Sequence, residues 1–314
     1  MINKKRDISI IIPVYNEAAN LLDFINRTTD TMVKNNLSYE IIFAVDPSTD
    51  ESEQIVKEEI QKNKNIRMIL FSRKFGQQIA TMVGIQNCMG EACVVIDCDL
   101  QDPPEIIIAL YHVMKKGFDV VYTKRVTRAG ETFIKKIISK IGYYIINKIT
   151  DANIPRDAGD FRIISKRVIN ELKQIKGNNF FLRGLVSHIG YKQTFIEYDR
   201  KERFGGQSKY NKYFGSFKIA FDGIFGFSSR PLYLMFILGI FLSLISFILA
   251  IYYLFQKFFT NITPGLSSTI ILISFFSGVQ LFCLGLLGEY VGRIYDEVKK
   301  YPTFIIDQKI NFDE

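Results

Sequence analysis

Ala92-Cys93-Val94-Val95-Ile96-Asp97-Cys98-Asp99-Leu100-Gln101-Asp102-Pro103-Pro104 is the stretch that decides the fold class. A short apolar run ends abruptly in acid and then in two prolines. Such a run, bounded by turn signals, reads as a strand buried on both faces. Pro103-Pro104 suits the first turn of a helix, expected to run to about Lys116. If the strand's alternation carries into the acid, the side chains of Asp97 and Asp99 share one side and Cys98 takes the other. Two carboxylates so close repel unless a cation joins them, and Asp102 adds a third. A hard divalent ion, Mg2+ or Mn2+, held by one or two carboxylates plus substrate phosphates, fits that set.

The same pattern repeats toward the N-terminus. Asp7–Val14, Tyr39–Val45 and Ile66–Phe71 are further apolar runs, and Phe118–Thr123 follows as a fifth. Between them lie helical stretches: one from an N-cap at Asn16 to Lys34, then Glu51–Lys62 and Gln77–Cys88. Strands alternating with helices predict an α/β fold, a mostly parallel sheet flanked by helices. Ligands on such sheets sit beyond the carboxyl ends of the strands. Asn16-Glu17, Asp46, Ser72-Arg73 and Asp97/Asp99 all stand at those ends and are expected to face one crevice.

The C-terminal part is different. The chain of 314 residues is 48% hydrophobic and 23% charged. Pro231–Phe255 and Leu266–Gly288 contain no charge at all. As a helix the first spans about 37 Å, against roughly 30 Å of bilayer hydrocarbon. Arg230 before the pair and Arg293, Lys299 and Lys300 after it predict that both flanks lie in the cytosol. The expected organisation is a cytosolic catalytic domain over 1–206 and a juxtamembrane amphipathic helix over 207–229. Two transmembrane helices follow within 230–290, then a cytosolic tail over 291–314, making a multi-pass protein of the cell membrane. Met1–Arg6 is basic, but the apolar run Ile8–Ile12 stops at Pro13 and is too short for a signal peptide. The four cysteines form no paired motif, and the two histidines supply no metal-binding spacing.

The formal charge is +8, and it lies wholly before residue 230. Lys115–Thr150 alone carries nine Lys+Arg against Asp119 and Glu131. Within it Phe133, Ile134, Ile137, Ile138, Ile141, Tyr144, Ile145 and Ile149 recur at helical spacing. A basic amphipathic helix of this kind suits a membrane interface and anionic lipid. Tyr210, Tyr213, Phe214, Phe217 and Phe221 form a second stripe leading into the first apolar run. Nucleic acid, the other common partner of basic patches, is excluded by the acidic crevice and the membrane anchor.

Several motifs in order carry a resemblance. Ile10-Ile11-Ile12-Pro13-Val14-Tyr15-Asn16-Glu17, Val45-Asp46-Pro47-Ser48-Thr49-Asp50 and Asp97-Cys98-Asp99-Leu100-Gln101-Asp102-Pro103-Pro104-Glu105 resemble family 2 glycosyltransferases of the GT-A fold. Ser72-Arg73-Lys74-Phe75-Gly76, Asp157-Ala158-Gly159-Asp160-Phe161-Arg162 and Arg203-Phe204-Gly205-Gly206-Gln207-Ser208-Lys209-Tyr210 narrow it. With Leu287-Gly288-Glu289-Tyr290-Val291-Gly292-Arg293-Ile294-Tyr295, they resemble the polyprenyl-phosphate glycosyltransferases, the bactoprenol glucosyltransferase and dolichol-phosphate mannosyltransferase group.

The resemblance implies roles. Pro13, Tyr15, Glu17, Asp46, Arg73, Asp97, Gln101 and Asp102 would bind the nucleotide sugar, with Asp46 on the base. Asp97 and Asp99 would hold the metal against the donor diphosphate. Arg162, Arg203 and Lys209 would grip a lipid phosphate, and Asp160 or Asp157 would orient the acceptor or act as base. Two positions depart from the family: Pro47 stands where Gly is usual, and Lys74 where Asn is common. The implied activity is inverting transfer of a hexose, from UDP-glucose, to polyprenyl (undecaprenyl) phosphate at the cytosolic face. UDP-N-acetylglucosamine and GDP-mannose are alternative donors, and a dimer or tetramer is compatible. A processive polysaccharide synthase would carry a Gln-x-x-Arg-Trp segment, and this chain has no Trp. A non-catalytic membrane scaffold is the remaining alternative.

Overall fold

The computed structural model describes residues 6–125, 158–175, 180–198, 228–259 and 266–312. In chain order the elements are β1 (Ile8–Val14), α1 (Ala18–Lys34), β2 (Tyr39–Val45), α2 (Ser52–Lys62), β3 (Ile66–Phe71), α3 (Gln77–Asn87), β4 (Ala92–Val95) and α4 (Ile106–Met114). Then come β5 (Val120–Arg125), β6 (Ala158–Ser165), α5 (Lys166–Gln174), α6 (Leu182–Ile189), β7 (Gln193–Tyr198), α7 (Arg230–Phe259), α8 (Leu266–Lys299) and β8 (Ile306–Ile310).

The eight strands form one sheet in the order β7-β5-β6-β4-β1-β2-β3-β8. The pairs β1–β2, β1–β4, β2–β3 and β5–β7 are parallel, and β3–β8, β4–β6 and β5–β6 are antiparallel. The mostly parallel α/β sheet of GT-A type expected from the sequence is therefore the one observed. Strand order reverses between β1 and β4, and their carboxyl ends define the crevice such sheets offer to ligands.

The near-continuous apolar runs are explained by helices on both faces. Ile10, Ile12 and Val14 of β1 pack on one face with Leu21, Phe24 and Ile107. Ile11 alternates to the other face, with Ala80, Met82 and Val83. Burying each such side chain contributes about 1.5–3 kcal/mol. Helix α3 approaches closely because residue 84 is glycine: a Cβ there would stand 2.2 Å from Ile11 Cγ2.

Three local expectations change. The N-cap of α1 is Glu17, not Asn16. Asn16 takes a left-handed φ of 54°, which Asn tolerates better than most residues. Its side chain bridges to Thr49, whose N–H donates to Asn16 Oδ1 at 2.7 Å. The first turn of α1 is instead capped by the start of α2 and the loop before it, with Ser52 Oγ on Glu17 N and Asp50 Oδ2 on Ala18 N. The prolines at 103–104 sit in a turn before α4, their carbonyls accepting from Ile106 N and Ile107 N. The residues expected as a C-terminal tail divide between the end of α8 and β8, an edge strand of the sheet.

Helices α7 and α8 each contain a segment long and apolar enough to cross a membrane, Arg230–Leu249 and Phe275–Lys299. Phe236, Phe241, Phe247, Leu281 and Phe282 are exposed on them. Tyr290 OH of α8 donates to the Ser228 carbonyl at 2.9 Å, tying α8 to the entry of α7. The expected juxtamembrane helix over 207–229 and the basic stripe of residues 133–149 lie outside the described residues, apart from Ser228 and Ser229.

Candidate active site

Beyond β4 the chain bends, and the side-chain alternation of the strand persists into the bend. Cys98 is buried, while Asp97 and Asp99 are half-exposed. Burial pushes the Cys98 thiol well above its usual range, and the nearby carboxylates of Glu17, Asp97 and Asp99 raise it further. Cys98 is thus a protonated, inward-facing thiol. Gln77 Nε2, at the start of α3, donates to Asp97 Oδ1 at 2.8 Å. Gln101 N donates to Asp99 Oδ1 at 3.2 Å, closing the bend.

Asp46, at the end of β2, is 2% exposed. Its Oδ1 accepts from Phe75 N and its Oδ2 from Gly76 N, both at 2.9 Å. The carboxylate thereby fastens the turn after β3 to the turn after β2. Gly76 has a φ of 92°, a conformation that costs glycine least. On this turn Lys74 Nζ stands 3.5 Å from the centroid of the Tyr15 ring, and the Arg73 guanidinium 4.2 Å from that of Phe75. Both are cation–π contacts. Pro13 is half-buried in β1, opposite Ala44.

The antiparallel side brings in β6. Val95 pairs with Arg162, so the chain running back from Arg162 carries Asp160 to the crevice edge beside β4. Asp160 is held by a planar fork from Arg183 of α6, at 2.7 and 2.9 Å. Arg162 does not take the role expected for it. Alternation places it on the buried face with Ile164, 3% exposed. Its guanidinium donates to the carbonyls of Gly159 at 2.9 Å and Asp160 at 3.3 Å. Burial lowers its pKa to about 10, so it remains a cation, one that braces backbone and is not presented to a lipid phosphate. Asp102 is 4% exposed and accepts a hydrogen bond from Tyr198 OH at the end of β7. Its observed contact ties the acidic bend to β7. Asp157, Arg203 and Lys209 lie outside the described residues.

Residues 9–173 match the protein family described as Glycosyl transferase family 2. The chain belongs to that family. An uncharacterized glycosyltransferase of Bacillus subtilis, YkcC, is 42% identical over 97% of this chain and 94% of its own. The SfII prophage-derived bactoprenol glucosyl transferase of Shigella flexneri is 34% identical over 95% of this chain and 97% of its own. A solved glucosyl-3-phosphoglycerate synthase of Mycobacterium tuberculosis, in complex with Mn2+, UDP-glucose and phosphoglyceric acid, is similar over 72% of this chain and 79% of its own. Its sequence identity is 14% and the TM-score 0.49. The protein is a glycosyltransferase, and its crevice can be read in those terms.

Among the described residues no group of three or more His, Cys, Asp or Glu is arranged to hold a metal. Asp97 and Asp99, the pair expected to hold one, offer hard oxygens. That set suits Mg2+ or Mn2+, which bind through one or two carboxylates and complete their shell with water and substrate phosphate. Sequence reading missed Arg183, Gln77 and Tyr198. Arg183 follows an unremarkable Phe180-Phe181-Leu182, and only its ion pair with Asp160 in the folded chain reveals its partner. Gln77 could have been suspected from its place at a helix start opposite the acidic bend.

Proposed function

We propose that this enzyme transfers a hexose, with UDP-glucose as donor, to polyprenyl (undecaprenyl) phosphate at the cytosolic face of the cell membrane. The observation that carries this reading is the extent of the similarity to bactoprenol glucosyl transferases. At 34% identity it covers 95% of this chain, and so takes in both the acidic crevice and the apolar helices α7 and α8. Both helices would cross the bilayer, with the sheet and both flanks on the cytosolic side, as the basic flanks favour.

The chemistry follows from the acceptor. A phosphate monoester is an anion at neutral pH, so its oxygen attacks the anomeric carbon without first losing a proton to a base. The new bond forms from that oxygen to carbon as the bond from carbon to the donor diphosphate breaks. A single displacement inverts the anomeric centre, and the nucleoside diphosphate leaves. Asp97 and Asp99 would hold Mg2+ or Mn2+, which offsets the charge growing on the leaving group. Gln77 fixes the orientation of Asp97, and Asp46 fixes the turn that borders the donor. Asp160 is already engaged by Arg183 and suits orientation of the acceptor better than proton abstraction. Arg203 and Lys209 would offset repulsion between the two phosphate groups.

The test is to supply membranes containing the enzyme with labelled UDP-glucose, UDP-N-acetylglucosamine and GDP-mannose, and to identify the lipid product. Transfer of one hexose from UDP-glucose to an acid-labile polyprenyl phosphate is expected. Growth of a polymer, or no lipid product from any donor, would overturn the proposal.

A further inference from the structure

Strand β8 arrives directly from α8, with only Lys300–Ile305 between them, a reach of at most ~20 Å. It runs antiparallel to β3, pairing Ile310 with Met68 and Ile306 with Phe71, and the register shifts between Leu70 and Phe71. Its far end is pinned: Asn311 Nδ2 donates to the carbonyls of Lys64 and Ile66, and Lys309 Nζ to Asn87 Oδ1. At its near end the pairing continues past β3 into the turn beyond. Ser72 N donates to the Ile305 carbonyl at 3.1 Å. The Phe304 ring meets Phe71 edge-on, with centroids 6.4 Å apart, and Phe71 meets Phe75 in the same way at 5.8 Å. Phe71 is 1% exposed. Phe75 and Gly76 are the residues whose N–H groups reach Asp46.

We propose that Phe304 and Ile305 are positioning residues for the nucleotide sugar. They hold the turn of residues 72–76 from the side away from the crevice, while Asp46 holds it from within. The inference rests on the donor-site reading given above. Ser72, Arg73 and Lys74 are exposed, so the apolar anchors of the turn are Phe71 and Phe75, and Phe304 is one wall of their packing. Close-packed rings keep a turn in one conformation, and removing one wall lets it sample others. Apparent affinity falls with the fraction of molecules in the competent state, so a drop from nearly all to about a tenth weakens binding about tenfold. A segment that follows the apolar helices thereby sets the shape of the donor site.

The test uses the full-length protein in detergent, titrated with UDP in the presence of Mn2+, and then assayed for transfer from UDP-glucose. F304A is expected to raise the UDP Kd and the donor KM about tenfold, with kcat within about twofold. F304Y, which restores a ring, should return both to wild type. A merely structural loss would lower the number of binding sites and leave Kd unmoved. F304L covers the case in which F304A does not fold, with a shift of about threefold in the same direction. Unchanged Kd and KM in F304A or F304L, beside a wild type that binds UDP, would overturn the inference alone. If the wild type does not bind UDP, the donor-site reading fails and takes the inference with it.

Discussion

The amino ends of the parallel strands and the pair Asp97/Asp99 after β4 treat charge in opposite ways. At the amino ends Glu40 is fully buried, as is Arg67 beside it at 1%. Glu40 accepts from Arg6, from Ser9 Oγ and, at 2.7 Å, from Met89 N, and it lies 3.3 Å from Arg67 Nη1. At the carboxyl ends Asp97 and Asp99 are half-exposed, and their Oδ1 atoms accept from a side-chain amide and a backbone N–H. One carboxylate is closed into the sheet and serves stability. The others keep access to solvent, where the proposed function requires a cation and a diphosphate. Between Glu40 and the Asp97/Asp99 pair the difference is one of burial, not of charge as such.

Breaking each end should expose that difference. The largest effect is expected from Glu40→Ala, which removes the buried carboxylate beside Arg67 and the acceptor of Arg6, Ser9 and Met89 N. It should cost about 3–5 kcal/mol of stability, read as a fall of roughly 6–20 °C in Tm. The donor KM of the molecules that remain folded should stay unchanged; an unaltered Tm would contradict the comparison. Asp99→Asn should do the reverse. Transfer should fall at least ~100-fold, about 2.7 kcal/mol, with Tm shifted by no more than about 2 °C. Exhaustive chelation should match that loss and Mn2+ restore it, and full activity after chelation would sink the metal assignment. Between the two ends, Gly84→Ala drives a methyl into the buried side chain of Ile11 and should cost about 1–3 kcal/mol, measured by thermal unfolding. The smallest change sharpens the point. Arg27 and Glu105 form an exposed two-pronged ion pair between α1 and the start of α4. Arg27→Ala should change stability by at most about 1 kcal/mol.

Much of this was legible in the chain itself. Strands β1 to β5 and helices α1 to α4 were readable because their apolar spacing is local. Two helices with apolar surfaces, α7 and α8, were readable for the same reason. Asp97 and Asp99 were legible because an acidic bend after a buried strand is also a local pattern, and the ordered motifs pointed to the family. The rest depends on residues far apart in sequence. The Asn16 cap expectation failed because Asp50 and Ser52, from the loop after β2 and the start of α2, reach the helix start first. Arg162 looked like a phosphate ligand until β6 paired with β4 and its alternation turned the guanidinium inward. Asp160 gained Arg183, Asp102 gained Tyr198, and Phe71 gained Phe304, each through packing that no spacing encodes. The sequence by itself determined which segments are strands, which helices are apolar and where acid gathers, since those follow from periods of two and 3.6 residues. Only the tertiary structure decided which charges are closed off and which stay open, because burial is a property of neighbours brought together across the sheet.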